Sequence, residues 1–499
     1  MSLINVANLT FAYPGSYDNI FENAGFQLDT DWKLGFTGRN GRGKTTFLHL
    51  LCGRYEYSGT ISAGVGFEYF PFEIADKQQT VEAVVASLCA EYEQWQLLRE
   101  LSLLEMGEDM LNRAFDTLSG GEQTKVLLAA LFLKENAFLL IDEPTNHLDM
   151  HGRRVLAEYL NRKKGYILVS HDRAFLDGCI DHVLSINRAN IEVQRGNFSS
   201  WLANKERQDQ FELAENAKLK KEIKRLEKTA REKAQWSDKA EATKMGKGAA
   251  TLRKKGHVGA DTMAYNAEKS RRMQQQRKNI ETRQQNALAD KSKLLKNLDK
   301  ADALKLSPLP YHTTRMMELR DVIIQYGEVP VNAPLSFTLE RGERIALLGR
   351  NGCGKSSIIK LLCGIDVPHR GEVNIGSRLQ ISYVSQETSH LAGNLSDYAR
   401  KNNIDESLFK AILRKLDFSR IQFDKDMRDF SGGQKKKCLI ARSLCENVHV
   451  LVWDEPLNFI DVLSRMQIEE LLLAYTPTLL FVEHDHVFCD KIATKKIHI

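Results

Sequence analysis

Two short runs of this sequence carry the residues needed to hold phosphate. GRNGRGKT (38–45) and GRNGCGKS (349–356) each set glycines around one lysine and end on a hydroxyl side chain. Both fit G-x-x-x-x-G-K-[ST]. An apolar stretch precedes each run (WKLGFTG, RIALLG) and an apolar, helix-like run follows (TFLHLLCG, SIIKLLCG). That is the strand–loop–helix context the chemistry needs. Gly38, Gly41 and Gly43, and again Gly349, Gly352 and Gly354, let backbone N–H groups turn inward on an anion. The helix N-terminus adds its dipole. Lys44 and Lys355 then meet the β- and γ-phosphates of ATP, and Thr45 and Ser356 hold Mg²⁺.

The remaining chemistry lies downstream. LLIDEP and LVWDEP are apolar strands that end in two carboxylates. The first of each pair, Asp142 or Asp454, suits the Mg²⁺ shell. The second, Glu143 or Glu455, is placed to orient or deprotonate an attacking water. His171 and His484 each follow the next apolar strand, where they could sense the γ-phosphate. A lone histidine at a strand end is more often structural, but this one recurs in both halves. SGGEQTK and SGGQKKK give Ser119, Gly120 and Gly121, and Ser431, Gly432 and Gly433, ahead of a helix. A serine hydroxyl, free backbone and a helix N-terminus make a second phosphate-binding element.

These elements repeat in order. Lys44 and Lys355 are 311 residues apart, Ser119 and Ser431 312, Asp142 and Asp454 312, and His171 and His484 313. Four motifs at a near-constant offset make the chain two copies of one domain, 1–201 and 307–499. The fold class expected is α/β: two P-loop NTPase cassettes joined by a long antiparallel α-helical hairpin.

That hairpin is expected over 202–306, with its tip at about 243–261. The segment is rich in Lys, Glu, Gln and Ala, which are good helix formers. Leu219, Ile223, Leu226 and Ala230, then Ile280, Ala287, Leu294, Leu298 and Ala301, form apolar seams. An arm of this length reaches ~60 Å. The whole chain has a formal net charge of +5, yet 202–306 holds 27 Lys and Arg against 15 Asp and Glu. One-signed charge of this kind is a footprint for a polyanion. At the connection, KMGKGAATLRKKGHVG (244–259) has no acid, and Lys244, Lys247, Arg253, Lys254 and Lys255 are expected to hold RNA phosphates. Trp236 and Tyr265 flank it, each able to stack on a base or to cap the hairpin's small core. Met245 and Leu252 are the large apolar residues near the apex.

Eight scattered cysteines with no C-x-x-C pair argue against a disulfide framework or zinc site and suit a reducing cytosol. The N-terminus has no signal-peptide pattern, and no apolar run approaches the length of a membrane span.

In this order, the phosphate loop, LSGGE, DEPTNHLD and SHDR resemble the ATP-binding cassette (ABC) ATPases. Two cassettes with a charged helical linker resemble the ABC-F family of translation-associated ATPases, as do EPTNHLD and GNFSSW (196–201). Within it the sequence is most similar to the Lsa-type antibiotic-resistance branch, through DTDWKLGFTGRNGRGKTTF, the HLLCG helix, DEPLNFID and VEHD.

The resemblance implies two cassettes closing head to tail on two ATPs within one monomer. Site one joins Lys44, Asp142, Glu143 and His171 to Ser431, and site two joins Lys355, Asp454, Glu455 and His484 to Ser119. It implies further ATP contacts at Tyr13, Asn40, Thr46 and Asp149, and at Tyr326, Asn351, Ser357 and Asp461. Gln386 joins the Mg²⁺ ligands of site two. The ATP-closed form is expected in the E site of the 70S ribosome, against 23S rRNA, in the cytoplasm. The linker then points to the P-site tRNA and the peptidyl-transferase centre, where it displaces lincosamides, pleuromutilins and streptogramin A. Hydrolysis releases the protein.

Copy one reads YFPF where copy two has YVSQ, so Phe72 stands in the place of Gln386. DEPTNHLD becomes DEPLNFID, and SHD becomes EHD with Glu483. Site one is therefore expected to bind ATP but hydrolyse it more slowly. The inserted arm helices and the C-terminal coiled coil of other family members are not expected here. Three other readings stay open: a housekeeping factor for stalled ribosomes, the motor subunit of a drug exporter, and a DNA-repair ATPase. An exporter motor needs separate membrane domains. In the repair ATPases a coiled coil interrupts a cassette, whereas here each cassette is whole.

Overall fold

The apolar stretch ahead of each phosphate loop becomes a central strand of a parallel sheet. In the first half, β1 (Leu3–Phe11), β2 (Phe21–Asp29), β3 (Lys33–Thr37), β4 (Ser58–Ser62), β5 (Gly66–Phe70), β6 (Ala137–Asp142), β7 (Tyr166–Val169), β8 (His182–Ile186) and β9 (Ile191–Arg195) build two sheets. The larger has the order β5-β6-β7-β3-β8-β9, parallel except for β9, and the smaller is antiparallel, β2-β1-β4. The interiors of β6 and β7 are buried, which is why they read as apolar runs without alternation.

The second half repeats the plan with β10 (Arg315–Tyr326), β11 (Val329–Pro330), β12 (Leu335–Glu340), β13 (Arg344–Leu348), β14 (His369–Ile375), β15 (Ile381–Val384), β16 (Val450–Asp454), β17 (Leu479–Val482) and β18 (Lys495–His498). Its parallel sheet runs β15-β16-β17-β13-β18, and β10 pairs with β11, β12 and β14. In both halves the chemistry hangs from the carboxyl ends of the parallel strands, where open α/β sheets bind ligands. The phosphate loops follow β3 and β13, Asp142 and Asp454 end β6 and β16, and His171 and His484 follow β7 and β17.

The computed structural model describes residues 2–14, 19–89, 91–146, 148–186, 191–215, 217–219, 221, 224, 228, 309–327 and 329–499. The expected tip, with Lys244, Lys247, Arg253, Lys254 and Lys255, lies outside them, as do Trp236, Tyr265 and most of the hairpin. Residues 1–201 and 303–499 form one compact unit and 202–302 another. Of the second, the described residues up to 215 are helical. Among the described residues no helix is long and apolar enough to cross a membrane.

Where the copies differ, the changes compensate. In copy one, Thr145 and Ser170 share a buried hydroxyl–hydroxyl hydrogen bond of 3.2 Å. In copy two, leucine at 457 removes one hydroxyl, and the longer Glu483 reaches in. Its carboxylate accepts from the backbone N–H of Leu457 at 3.1 Å and of His484 at 2.9 Å. Trp453, fully buried in β16, has its indole N–H satisfied by Ser443 Oγ at 2.9 Å.

Glu483→Ser is expected to destabilise the protein by about 2 kcal/mol, because it orphans a buried backbone donor. Adding Leu457→Thr rebuilds the hydroxyl pair and should recover part of the loss. Thermal unfolding of the single and double variants checks this; strictly additive losses would refute the compensation.

Candidate active site

Each phosphate loop ends on a glycine that only a left-handed backbone can place. Gly43 and Gly354, at φ 91° and 90°, are the N-caps of the helices Lys44–Leu51 and Lys355–Leu362. A β-carbon at either would be strained there. The lysine that follows folds back over its own loop. Lys44 Nζ donates to the carbonyls of Gly38 (2.7 Å) and Arg39 (3.3 Å) and to Asn40 Oδ1 (3.3 Å). Lys355 Nζ donates to the carbonyls of Gly349 (2.9 Å) and Arg350 (2.8 Å). Beside the loops, the hydroxyls of Tyr13 and Thr46 are 2.8 Å apart, and those of Tyr326 and Ser357 3.0 Å. Both tyrosines are exposed, leaving ring surface on which a base could stack.

The oxygen pairs at the strand ends fit a magnesium ion. Thr45 Oγ1 donates to Asp142 Oδ2 at 2.7 Å, and Ser356 Oγ to Asp454 Oδ1 at 3.1 Å. Among the described residues no group of three His, Cys, Asp or Glu is placed to hold a metal. Magnesium does not require one, since it keeps waters and binds through one or two carboxylates plus substrate phosphates. Burial pushes both aspartates up from the usual carboxylate range, against the hydrogen bonds from Thr45 and Tyr69 at Asp142 and from Ser356 at Asp454.

Site one is built from both cassettes. Asn40, in the first phosphate loop, donates through Nδ2 to the carbonyl of Phe459 in the second cassette at 2.7 Å. Arg39 pairs with Asp417 at 3.0 Å. The SGG of the second cassette fits against both groups. A β-carbon on Gly433 would fall 2.3 Å from the Phe459 carbonyl and 3.0 Å from Asn40 Nδ2, so this position must stay glycine. Ser431 caps its helix, accepting from Gln434 N at 3.3 Å while the Gln434 side chain accepts from Ser431 N at 3.0 Å. Ser119 and Glu122 form the same box in the first cassette, at 3.3 and 2.8 Å.

Asp149 and Asp461 cap the helices Met150–Asn161 and Val462–Tyr475. Asp461 is fully buried and pairs with Lys437 at 3.1 Å, yet its charge still reaches Lys44 and His171. Burial pulls the Lys44 ammonium down from its ordinary value, opposed by Asp461, Glu143 and Asp142. Burial, Lys44 and Arg465 likewise hold His171 well below the usual histidine range.

The two glutamates sit in unlike surroundings. Glu455 Oε2 accepts from Gln386 Nε2 at 2.8 Å and from Asn458 Nδ2 at 2.7 Å, and His484 lies 3.4 Å from Oε1. Burial alone would raise this carboxyl, but the hydrogen bonds from His484 and Asn458 and the charges of His484 and Lys355 hold it below its ordinary value. At site one Phe72 cannot donate; its ring instead lies under Lys134 Nζ, 5.2 Å from the ring centre. His171 Nε2 is 3.3 Å from Glu143 Oε1, but the alignment is too poor for a hydrogen bond, and that buried oxygen has no partner. Burial and the neighbouring Asp142 push the Glu143 carboxyl up to about 8.

Sequence reasoning missed Asn458, Lys437, Arg39 and Tyr69, whose hydroxyl donates to Asp142 Oδ2 at 3.2 Å. For Asn458 a signal existed, because DEPTNHLD and DEPLNFID both keep the asparagine. For Arg39 and its partner Asp417, nearly four hundred residues away, no spacing rule applies.

The family model described as ABC transporter matches residues 21–146 and again 333–458. Across its whole length the chain is 29% identical to the ribosome protection protein VmlR of Bacillus subtilis (strain 168), covering 86% of that protein. It is 26% identical to the energy-dependent translational throttle protein EttA of Haemophilus influenzae, over 93% of this chain and 86% of that one. Among solved structures, an archaeal ribosome recycling factor in complex with a ribosomal stalk protein superposes with a TM-score of 0.64, at 18% identity, covering 98% of this chain and 87% of that one.

A carboxylate accepts a proton from water only when ionised, so the two sites should differ in pH profile. In Glu455→Gln, which leaves site one working, kcat/KM for ATP should rise about tenfold from pH 7 to 9, following ionisation of Glu143 near 8. In Glu143→Gln, which leaves site two, it should stay flat over that range and be higher at neutral pH. Matching profiles in steady-state phosphate release would refute the difference.

Proposed function

Since the chain belongs to the ABC transporter family, whose ATP-binding domain it carries twice, and within it to the ABC-F group, we propose that it is a ribosome-protection ATPase. Its reaction is hydrolysis of ATP to ADP and phosphate. In each site the backbone N–H groups of the phosphate loop and Lys44 or Lys355 hold the β- and γ-phosphates. Thr45 with Asp142, and Ser356 with Asp454 and Gln386, would hold magnesium, which neutralises charge on the β- and γ-oxygens when bound. Glu455, oriented by Gln386 and Asn458, accepts a proton from the attacking water as its oxygen bonds to the γ-phosphorus. The bond from the γ-phosphorus to the bridging oxygen then breaks and ADP leaves. Glu143 would do the same more slowly, because burial and the neighbouring Asp142 favour its protonated form. His171 and His484 face the γ-phosphate, and Ser431 and Ser119 approach it from the opposite cassette.

Closure of the cassettes on ATP would bind the protein in the ribosomal E site, in contact with 23S rRNA. The linker, through Lys244, Lys247, Arg253, Lys254 and Lys255, would reach the P-site tRNA and reshape the peptidyl-transferase centre until bound lincosamides, pleuromutilins or streptogramin A leave. What supports this reading is the similarity to VmlR, which runs the full length of the chain and includes both ATP sites and the segment between them. Such a protein works in the cytoplasm as a monomer that contains its own pair of cassettes.

In vitro translation stalled by lincomycin or tiamulin should be restored by the wild-type protein and not by a variant lacking 244–259. Rescue by both would remove the tip from the mechanism, and rescue by neither would point to a housekeeping role. The Glu143→Gln/Glu455→Gln protein should stay on ribosomes through a sucrose gradient and inhibit translation. Its appearance in the free fraction would count against ATP-closed binding. If lysines and arginines hold phosphates, wild-type binding should also weaken steeply with salt.

A further inference from the structure

One buried cluster of charges crosses between the cassettes away from the phosphates. Arg173 directly follows His171 and Asp172 in the first cassette. Its guanidinium makes a two-pronged contact with Glu469 of the second cassette, through Nη2 to Oε1 and through Nη1 to Oε2 at 3.3 Å. The same Nη2 lies 3.9 Å from Oδ2 of Asp485, the residue that follows His484. Glu469 and Asp485 are fully buried. Lys491 Nζ also donates to Glu469 Oε2 at 3.0 Å, and Arg173 Nε has no partner.

Asp485 is engaged from its own side as well. Arg465 donates to Asp485 Oδ2 at 3.1 Å, to the Leu457 carbonyl at 3.0 Å and to the Ile460 carbonyl at 2.9 Å. Between those two carbonyls lies Phe459, whose own carbonyl accepts from Asn40 in the first phosphate loop. The contacts therefore form a chain between the two cassettes. It runs from Asn40 through the Leu457–Ile460 turn, Arg465, Asp485 and Arg173 back to His171 beside Glu143.

Among the described residues, the Arg173–Glu469 link has no counterpart in the opposite sense. Copy one keeps its half of the pattern, with Arg153 donating to Asp172 at 2.9 Å and to the Leu148 carbonyl at 3.1 Å. In copy two, however, the residue after His484 and Asp485 is His486, which is exposed, and in the place of Glu469 copy one has Ala157. Alanine offers no acceptor, so the mirror-image link cannot form.

We infer that Arg173 is a positioning residue that couples the two ATP sites, tying the segment that carries His171 to the segment that carries His484. A shift of His171 on loss of the γ-phosphate moves Arg173, and a buried carboxylate cannot simply be left without its guanidinium. The second cassette must follow, so the sites share a coupling free energy. The inference rests on His171 and His484 facing the γ-phosphates, but not on the ribosome reading, and it is tested without ribosomes.

The experiment is steady-state hydrolysis by the full-length protein over a range of ATP concentrations, with melting temperature followed alongside. Wild type is expected to be cooperative, with a Hill coefficient approaching 2, and Arg173→Ala should bring it to about 1 while kcat changes less than about threefold. With Arg173 in place, Glu455→Gln should lower the rate of site one without abolishing it or changing its pH profile; in the Arg173→Ala background it should remove only the share of site two. Arg173→Lys, which keeps the charge but loses the fork, should fall between. Should Arg173→Ala fail to fold, the isosteric pair Arg173→Met/Glu469→Gln removes the link without stranding a buried charge, and the same loss of cooperativity is expected. Unchanged cooperativity with only a lower melting temperature, in either variant, would overturn the inference and leave a structural ion pair. A His171→Ala protein with normal turnover would instead overturn the underlying reading of the histidines.

Discussion

The site depends on a buried positive charge that neither cassette balances alone. Lys44 is almost covered, and its ammonium is wrapped by carbonyls of its own loop. Those carbonyls satisfy its hydrogen bonds but carry no full charge. The carboxyl that most favours its charge is Asp461 in the other cassette, ahead of Glu143 and Asp142 in its own. A triphosphate suits such a place because it brings charge and acceptors together, and the loop glycines leave N–H groups free to meet it. Much of the surrounding architecture follows from this. The parallel sheet holds the carboxylates at one edge, and the second cassette must approach closely enough for Gly433 to lie against Asn40 and the Phe459 carbonyl. At that separation there is no space for a side chain, so the signature is glycine for a steric reason.

Duplication has let the two halves divide the work. Each copy needs a phosphate loop, an aspartate, a glutamate and a histidine, and both keep them. The residues around those groups have drifted in pairs. Where copy one has a hydroxyl pair at Thr145 and Ser170, copy two has a backbone-to-carboxylate contact at Leu457 and Glu483, holding the turn by a different bond. The loss of a glutamine at Phe72 has no such repair. Glu143 is left with a buried oxygen lacking a donor, and a low-dielectric pocket disfavours its charged form. The same motif carboxyl is thus pushed up in copy one and held down in copy two. The Arg173–Glu469 link is one-sided as well, since His486 and Ala157 stand at the two matching places.

Asymmetry of this kind suits a protein that must both hold on and let go. In the proposed mechanism, a site whose glutamate is ionised and oriented turns over first, and one whose glutamate favours its protonated form keeps its nucleotide longer. If the second reopens while the first stays shut, the cassettes hinge rather than separate, and contacts such as Arg39 with Asp417 and Asn40 with Phe459 belong to the half that stays.

The sequence alone determined the duplication and the ATPase chemistry, and it singled out the residues proposed to react. Motifs at a fixed offset locate strand ends and loops because a phosphate loop works only between a strand and a helix, and apolar runs such as AFLLID become buried parallel strands. It also marked Phe72 as an exception, since a ring cannot replace an amide donor. Only the tertiary structure decided what joins the halves. Arg39 meets Asp417, Asn40 meets Phe459 and Arg173 meets Glu469 across separations of roughly three to four hundred residues, where no periodicity or spacing rule operates. Nor could composition tell that Glu143 and Glu455, identical in motif, are shifted in opposite directions. A carboxylate's pKa is set by the donors, charges and solvent within a few ångströms of it, and those neighbours are assembled only when the chain folds.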